Sequence, residues 1–325
     1  MTTPFILDTD TAQDDCIAII ASVLDPGADL RAITMVAGNV GFDRQVHNAQ
    51  LTLSVLGRLG AVPVHLGCRR PLVVPWVSAE NVHGDGSGGL DMDFSGTSTQ
   101  DEHAVDTLIR LTAEAPGEVS VVAIGPLTNV AMAAVKDPGF VRNVKRLVIM
   151  GGSNNARGNI TAAAEFNFYV DPHAAKVVFE AGFADIVVVP WAPLTLNDAV
   201  FSRAQLAGIE GLGTPLSRFF LTVCEPTLAF DESVGIPGTT HPDTLSVGVL
   251  LHPELVEAAA DYHVAVDTDS ELTRGYSAMS WGVHGLEPNA RVVEKVDGAA
   301  FHSWVTGLLA TPTSPSRALR GGRFA

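Results

Sequence analysis

Residues 5–15 read FILDTDTAQDD, so four aspartates lie within eight residues, directly behind an apolar run. Ile6 and Leu7 end a run that is typical of a buried strand, and the apolar spacing over 17–23 predicts the helix that follows. The carboxylates then crowd the carboxyl end of a first strand, where open α/β sheets bind their ligands. So many like charges are unfavourable together unless a cation holds them. A hard cation that prefers oxygen ligands, such as Ca²⁺ or Mg²⁺, is the simplest interpretation.

The composition limits the partners of this 325-residue chain. Its formal net charge is −16, with 20 Lys and Arg against 36 Asp and Glu. This balance argues against nucleic-acid binding, because no excess of basic side chains exists to neutralise phosphates. It does not argue against a small neutral nucleoside or sugar.

The sequence also predicts a cytoplasmic protein without a membrane partner. No stretch of eighteen apolar residues occurs, and the first four residues lead straight into the predicted strand, which leaves no room for a signal peptide. The three cysteines, Cys16, Cys68 and Cys224, form no disulfide framework and suit a reducing compartment.

Short β-branched runs alternate with helical segments along most of the chain. The predicted strands are Leu30–Val36, Val62–Leu66, Val119–Ile124, Arg146–Met150 and Ile186–Val189. The predicted helices lie at about 44–58, 103–115, 127–136, 172–181 and 203–210. This alternation predicts an α/β fold in a single domain, with a mostly parallel central sheet flanked by helices.

The remaining segments are less regular. Residues 213–262 are predicted to be mostly helical, and Tyr262–Val266 with Ala278–Val283 to form a late pair of strands. The Gly-rich segment 84–96 is expected to be a mobile loop. We expect one catalytic domain over 1–310, followed by a basic tail at 311–325 that is rich in Pro, Ser and Gly and is frayed or loosely docked.

Polar or small residues follow several predicted strands. They are GNVG at 38–41, GPLTN at 125–129 and GGSNN at 151–155. If the connections are right-handed crossovers, these turns lie along one edge of the sheet, near the aspartates. In an extended segment, Glu165 and Asn167 would face one side, and Phe166 and Phe168 the other. Asp243 lies near the start of a predicted helix, where it would cap the helix or join the metal.

In this order, the segments resemble the inosine–uridine-preferring nucleoside hydrolases, a family of Ca²⁺-dependent nucleoside N-ribohydrolases with a Rossmann-like fold. The similarity runs from Ile6 to about Val283. It rests on DTDTAQDD at 8–15, GPLTN at 125–129, MGG at 150–152, GNIT at 158–161, AEFNFYVDP at 164–172 and ELTRG at 271–275. The family opening is DTDPGxDD; here Thr11-Ala12 replaces Pro-Gly, and the carboxylate spacing is unchanged.

The resemblance implies a calcium site. Asp10, Asp15 and Asp243 would bind Ca²⁺ together with the carbonyl of Ile124. Oxygen ligands of this kind suit Ca²⁺ better than Zn²⁺, since no set of Cys and His has suitable spacing. Asp10 would also take the proton of the attacking water as general base, which releases ribose and the free base.

The resemblance also assigns residues to the sugar. Asp14 and Asn39 would hold the ribose 2′- and 3′-hydroxyls, with Asn167 near the 3′ side. Asn159 and Glu165 would hold the 5′-hydroxyl. A homodimer or homotetramer is expected from the resemblance alone.

The residues that act on the base are open. His83 matches a histidine that lies close to the sugar in relatives. His241 is a candidate leaving-group acid, but Pro242 holds the place directly before Asp243 where pyrimidine-preferring relatives often carry histidine. The candidates for stacking on the base are Trp76, Trp191, Phe230 and Trp281. The preference for purine or pyrimidine is therefore open.

Two other functions fit parts of the pattern. A phosphohydrolase of the haloacid-dehalogenase type also opens with a strand-borne DxD and binds Mg²⁺, and Asp8 and Asp10 match it. However, Ala12 stands where that class has Thr or Val. A non-catalytic cytosolic protein that binds nucleoside or ribose would look similar, although Asp10 placed to activate water favours an enzyme.

Overall fold

The computed structural model describes residues 2–95, 97–317 and 319–320. The strands are β1 (Thr3–Thr9), β2 (Ala28–Met35), β3 (Val64–Leu66), β4 (Asp91–Met92), β5 (Ser120–Ala123), β6 (Leu147–Met150), β7 (Ile186–Val189), β8 (Val200–Phe201), β9 (Thr239–Thr240), β10 (Val256–Val266), β11 (Ser277–Ser280), β12 (Ala290–Val296) and β13 (Leu319–Arg320). The helices are α1 (Gln13–Leu24), α2 (Phe42–Val55), α3 (Glu80–His83), α4 (Ala104–Glu114), α5 (Thr128–Lys136), α6 (Pro138–Asn143), α7 (Phe166–Val170), α8 (Pro172–Glu180), α9 (Leu196–Asp198), α10 (Arg203–Gly211), α11 (Pro215–Ser233), α12 (Pro242–Leu251) and α13 (Gly298–Leu309).

The central sheet has the strand order β11-β10-β12-β7-β6-β5-β1-β2-β3. Neighbouring strands run parallel from β3 to β12, while β10 and β11 are antiparallel additions at one edge. The chain leaves β1 toward β2 and β3 on one side and later builds β5, β6 and β7 on the other. The strand order therefore reverses between β1 and β5, and such a switch point leaves a crevice for a ligand at the carboxyl ends of the strands. The predicted α/β fold with a mostly parallel sheet is confirmed.

Helices cover both faces of the sheet because its strands are apolar on both sides. In β1, Phe5 and Leu7 pack into one core cluster and Ile6 packs into the other. Helices α1, α2, α10, α11, α12 and α13 contribute to the first cluster, and α4, α5, α6 and α8 to the second. Burial on both faces explains the continuous apolar run of β1 and fixes where its polar end lies.

The predicted boundaries agree closely for the early elements and fail near the end of the chain. β7 has the predicted bounds, whereas β2 begins two residues early and ends one residue early. Residues 256–261 were predicted as helix but belong to β10, since pairing with β12 outweighs the helix preference of the alanines at 258–260. The second strand of the late pair, β11, ends at Ser280 rather than Val283.

The described part of the predicted tail is docked on the rest of the chain. The N–H of Ser316 donates to the carbonyl of Ser54 at 2.8 Å. The guanidinium of Arg317 donates to the carbonyls of Asp93 (2.9 Å) and Ser95 (2.7 Å). β13 then pairs with β4 in the segment that was predicted to be a mobile loop.

Parts of these two predictions fall on Gly96, Ala318 and 321–325, which lie outside the described residues. The division of the chain at residue 310 stays a prediction. Among the described helices, none has both the length and the apolar character that a membrane crossing needs.

Candidate active site

A cavity of about 430 Å³ opens at the carboxyl edge of the sheet, next to the switch point. This volume lies in the range of small-molecule pockets. The predicted site residues that line it are Asp14, Asn39, His83, Ile124, Asn159, Glu165, Asn167 and Asp243. Residues as distant in sequence as Asp14 and Asp243 are thus brought together around one space.

Asp10 lies beneath this space and is held tightly. Its Oδ2 accepts the N–H of Asn39 at 2.9 Å, and its Oδ1 is buried without a hydrogen-bond partner among the described residues. A Cβ at Gly38 would stand 2.0 Å from Oδ2, and one at Gly125 would stand 2.8 Å from Oδ1. Burial, with the charge of Asp15 added, raises the pKa of Asp10 well above its usual range. Both glycines are therefore required by the close approach of this carboxylate.

Asp15 closes the turn at the start of α1. It accepts the hydroxyl of Thr9 at 2.6 Å, the N–H of Ala12 at 2.9 Å and the amide of Asn39 at 3.3 Å. Burial raises the pKa of Asp15 to about 6. The bond to Ala12 explains how the turn forms although the family's Pro-Gly pair is absent.

Asp14 joins α1 to the start of α12. Its Oδ1 accepts the hydroxyl of Thr244 at 2.6 Å and Nδ1–H of His241 at 2.8 Å, and its Oδ2 accepts the N–H of Asp243 at 2.6 Å. We assign the proton to Nδ1 because an ionised carboxylate only accepts hydrogen bonds. This network fixes the orientation of the carboxylate at the edge of the cavity.

His241 itself does not line the cavity. Its ring is fully buried, stacks on Phe220 with ring centroids 5.2 Å apart, and places Nε2 3.8 Å from Sγ of Cys224. The intervening Pro242 lines the cavity in its place. This position beneath Asp14 does not favour the predicted role of His241 as leaving-group acid.

Asp8 also lies outside the cavity. Its Oδ1 accepts the hydroxyl of Thr34 at 2.5 Å and the amide of Asn129 at 2.8 Å, so it connects β1 to β2 and α5. Burial raises the pKa of Asp8 to about 7. This carboxyl group supports the site from below.

The carboxylates of Asp10, Asp15 and Asp243 fit a cation by their chemistry. Burial raises the pKa of Asp243 well above its usual range, and the charges of Asp15, Asp14 and Asp10 add to this. Buried carboxylates that repel one another in this way are stable as anions only with a positive charge among them. Across the described ranges, no group of three or more His, Cys, Asp or Glu side chains already has the spacing of a metal site. The donors that suit a hard cation are the carboxylates of Asp15 and Asp243, the unpartnered Oδ1 of Asp10 and the carbonyl of Ile124.

The segment that carries Glu165 and Asn167 starts a short helix rather than being extended. Glu165 is the N-cap of α7: its Oε1 accepts the N–H of Asn167 and its Oε2 that of Gly152, both at 2.8 Å. The Asn167 amide donates to the carbonyl of Ile124 at 3.0 Å, and Oδ1 of Asn159 accepts the N–H of Phe166 at 2.8 Å. Burial raises the pKa of Glu165 to about 7. The cap, which satisfies backbone N–H groups, explains why the helix begins here.

His83 ends α3 at the opposite wall. Its Nδ1 lies 3.2 Å from the hydroxyl of Thr227, and the residue is half-buried. Burial lowers the pKa of His83 to about 4, against the opposing charge of Asp14. The imidazole is therefore neutral near pH 7.

Two of the four predicted aromatic residues, Trp191 and Phe230, line the cavity. Trp76 instead donates Nε1–H to the carbonyl of Gly38, and Trp281 is 53% exposed on the surface. Sequence reasoning missed the lining residues Phe166, Thr227, Asp231 and Val234. Thr227, Asp231 and Val234 are three or four residues apart from one another or from Phe230, so they lie on the same side of α11 as that ring. This helical periodicity was the available sequence signal.

The family model for inosine-uridine preferring nucleoside hydrolases matches residues 5–303. The chain belongs to this family. The pyrimidine-specific ribonucleoside hydrolase RihA of Citrobacter koseri is 34% identical to this nucleoside hydrolase, over 93% of this chain and 96% of the relative. Among solved structures, the plant nucleoside hydrolase PpNRh1 has a TM-score of 0.86 and 29% identity, covering 96% of this chain and 100% of that one. The purine-preferring ribonucleoside hydrolase from Gardnerella vaginalis has a TM-score of 0.86 and 26% identity, covering 95% and 99%.

This nucleoside hydrolase is thus an enzyme that cleaves the N-glycosidic bond of ribonucleosides. The family depends in general on a metal ion. These findings select the hydrolase over the phosphohydrolase and the non-catalytic binding protein. The similar proteins include both a pyrimidine-specific and a purine-preferring enzyme, so similarity leaves the base preference of this chain open.

Proposed function

We propose that this enzyme hydrolyses ribonucleosides with Asp10 as the general base and with Ca²⁺ held by Asp10, Asp15, Asp243 and the carbonyl of Ile124. The observation that carries the proposal is the orphaned Oδ1 of Asp10, buried beside two further carboxylates. A bound Ca²⁺ would supply positive charge that orients the water and the ribose diol and lowers the pKa of the water.

The protein's own residues act on the sugar. Breaking the N-glycosidic bond builds positive charge on the ribose, as in an oxocarbenium ion. Oδ1 of Asp10 is the oxygen that takes the proton of the attacking water, because Oδ2 already accepts the N–H of Asn39. Asp14 and Asn39 would bind the ribose diol, and their fixed orientation stabilises charge as it develops.

The 5′ end of the sugar would lie against Asn159 and Glu165, and its 3′ side near Asn167. Glu165 is anchored by backbone N–H groups, and Asn167 by the carbonyls of Ile124 and Met150 (3.0 and 3.2 Å). Anchored groups of this kind hold the substrate in one orientation, which is a large part of the rate enhancement in such reactions.

The finer assignments are also proposals. Ca²⁺ is favoured over Mg²⁺ by the mix of carboxylates and carbonyl. A cytoplasmic location is supported by three free cysteines, and the absence of a nucleic-acid partner by the charge of −16. A homodimer or homotetramer would cover exposed apolar side chains beside β11, where Trp281 is 53% and Val283 73% exposed.

The test is ribose release from inosine, adenosine, guanosine, uridine and cytidine, measured with Ca²⁺, with chelator, and after adding back Ca²⁺ or Mg²⁺. Asp10→Asn keeps the acceptor for the Asn39 N–H but removes the base, so we expect a loss of about 10²–10⁴-fold. Asp29→Asn, on the neighbouring strand β2, is the control and should keep its activity, because its carboxylate pairs with Arg31 at the surface, 2.6 Å away. Unchanged release with chelator, or from the Asp10 variant, would contradict the proposal.

A further inference from the structure

We propose that Asp231 is the acid that protonates the departing base, with its proton on Oδ1. The inference rests on the proposed function, because it assigns the second proton transfer of the same reaction. The first proton transfer, from water to Asp10, takes place on the sugar side of the bond.

Asp231 belongs to the one helical face that α11 turns toward the cavity. Thr227, Phe230, Asp231 and Val234 all line the space, at the spacing of residues that share a helix face. Phe230 and Val234 give this wall an apolar surface that suits a planar base. Asp231 is only 2% exposed, so it is a carboxyl group placed in an otherwise largely apolar wall.

The two oxygens of Asp231 have different surroundings. Oδ2 accepts both the N–H and the hydroxyl of Thr240, each at 3.0 Å, which fixes the side chain against β9. Neither of these bonds involves Oδ1. An oxygen that already accepts two hydrogen bonds does not carry the proton, so the acid form has its proton on Oδ1.

The surroundings of Asp231 also favour its protonated form. Burial raises the pKa of Asp231 to about 6, although the bonds from Thr240 oppose this. The titratable groups that face Asp231 are His241, the N-cap of α12, which lowers the pKa, and Asp14 on α1, which raises it. His83 faces the same helix through Thr227 and is neutral near pH 7. A carboxyl group with a pKa close to the working pH is well suited to donate a proton.

The proton transfer completes the reaction. The C1′–N bond breaks and its electron pair goes to the base. The proton of Asp231 Oδ1 moves to a ring nitrogen or a conjugated carbonyl oxygen of the base, while the water oxygen bonds to C1′ and its proton moves to Asp10. The products are ribose and neutral base, and the two carboxyl groups then exchange their proton through solvent.

Asp231→Asn separates this role from a structural one. Asparagine can still accept from Thr240 but cannot act as an acid. We compare uridine and inosine with p-nitrophenyl β-D-ribofuranoside, whose phenolate leaves without a proton. Asp198→Asn is the matched control, because its carboxylate also accepts a strand N–H, that of Val296 at 3.0 Å, and lies outside the cavity lining.

We expect Asp231→Asn to lose about 10²–10⁴-fold in kcat for both nucleosides and to keep the wild-type rate on the aryl riboside. In the wild type, kcat for nucleosides should fall as the pH rises through the pKa of Asp231, and the variant should lack this limb. Asp231→Glu, which retains an acid, should recover part of the activity.

Two results would overturn the inference: wild-type cleavage of nucleosides by Asp231→Asn, or an equal loss on both kinds of substrate, which would mean that the carboxylate only holds Thr240. A wild-type enzyme that cleaves neither the aryl riboside nor any nucleoside would instead remove the proposed function, and this inference with it.

Discussion

At the sheet end of the cavity, Asp10, Asp14 and Asn39 are each hydrogen-bonded to another element, whereas at the helix end Phe230 and Val234 add only apolar surface. The sheet end is built on strand termini at the switch point, where backbone positions are set by the core on both faces. The helix end is one face of a single helix opposite a short loop helix. We infer that the chemistry on the sugar is fixed by the fold, and that recognition of the base is adjusted by substitutions on α11.

The largest effect is expected from adding one carbon at the sheet end. In Gly38→Ala, the Cβ would stand 2.0 Å from Oδ2 of Asp10 and 2.8 Å from Cδ of Pro126, so the carboxylate has to move. A displacement of this size should cost about 10²-fold in kcat for every nucleoside. Steady-state kinetics on uridine and inosine measure it.

The matched control is Gly41→Ala, three residues on, where a Cβ meets nothing within 4 Å. Gly41→Ala should keep the wild-type kcat. Equal losses in the two variants would show that the segment, rather than the approach to Asp10, sets the rate.

The next effect separates the two ends by their response to Ca²⁺. At a Ca²⁺ concentration of a hundred times its Kd, binding should stabilise the wild type by about 2.7 kcal/mol. Asp243→Asn should lose most of this gain, because it removes a charged ligand, while Phe230→Ala should keep it. Thermal unfolding with Ca²⁺ and with chelator gives the comparison, and a full Ca²⁺ response in Asp243→Asn would exclude that residue from the site.

At the helix end, Phe230→Ala should act on the base alone. Loss of a ring that stacks on a base costs about 1–3 kcal/mol, so KM should rise and the ranking of the five nucleosides should change. The loss of activity on adding chelator should be the same as in the wild type. Trp281→Ala, an exposed aromatic residue outside the cavity, is the control, and an unchanged ranking in Phe230→Ala would argue against stacking there.

The smallest effect is expected at His83. Its imidazole is neutral near pH 7, so it contributes a hydrogen bond rather than a charge. His83→Gln should therefore lose about 0.5–1.5 kcal/mol, up to roughly tenfold in activity. Its pH–rate profile should match the wild type between about pH 6 and 8, because the wild-type imidazole does not titrate there. If the wild-type pH–rate profile has a limb in this range that the variant lacks, His83 takes part in proton transfer.

The sheet end could be predicted from sequence because local pattern and topology agree there. The apolar run before Asp8 reads as a buried strand, and parallel strands bring their carboxyl ends to one edge. The position of Ile124 follows in the same way from the next strand in the sheet, β5.

The helix end could not be predicted as part of the site, because its local signal, the helical spacing of Thr227, Phe230, Asp231 and Val234, does not say what that face covers. Asp231 lies in a helix whose other residues read as ordinary amphipathic sequence, and only the folded chain brings it to Thr240 and the cavity. Glu165 and Asn167 were expected to face one side if their segment were extended, because they are two residues apart. A glutamate N-cap, which the sequence does not distinguish from a surface glutamate, starts a helix instead. His241 was a candidate for the leaving-group acid because it stands near Asp243, yet the folded chain holds its ring beneath Asp14.

One carboxylate at the switch point, that of Asp10, serves every substrate, whichever base the substrate carries. The most direct test is the ratio of kcat/KM between wild type and Asp10→Asn, measured for five nucleosides and the aryl riboside. We predict the same large ratio, about 10²–10⁴, for all six substrates, since Asp10 acts on the water and not on the base. A ratio near one would show that Asp10 is not the base, and a ratio that varies with the nucleoside as strongly as the activities themselves would show that Asp10 acts on the leaving base.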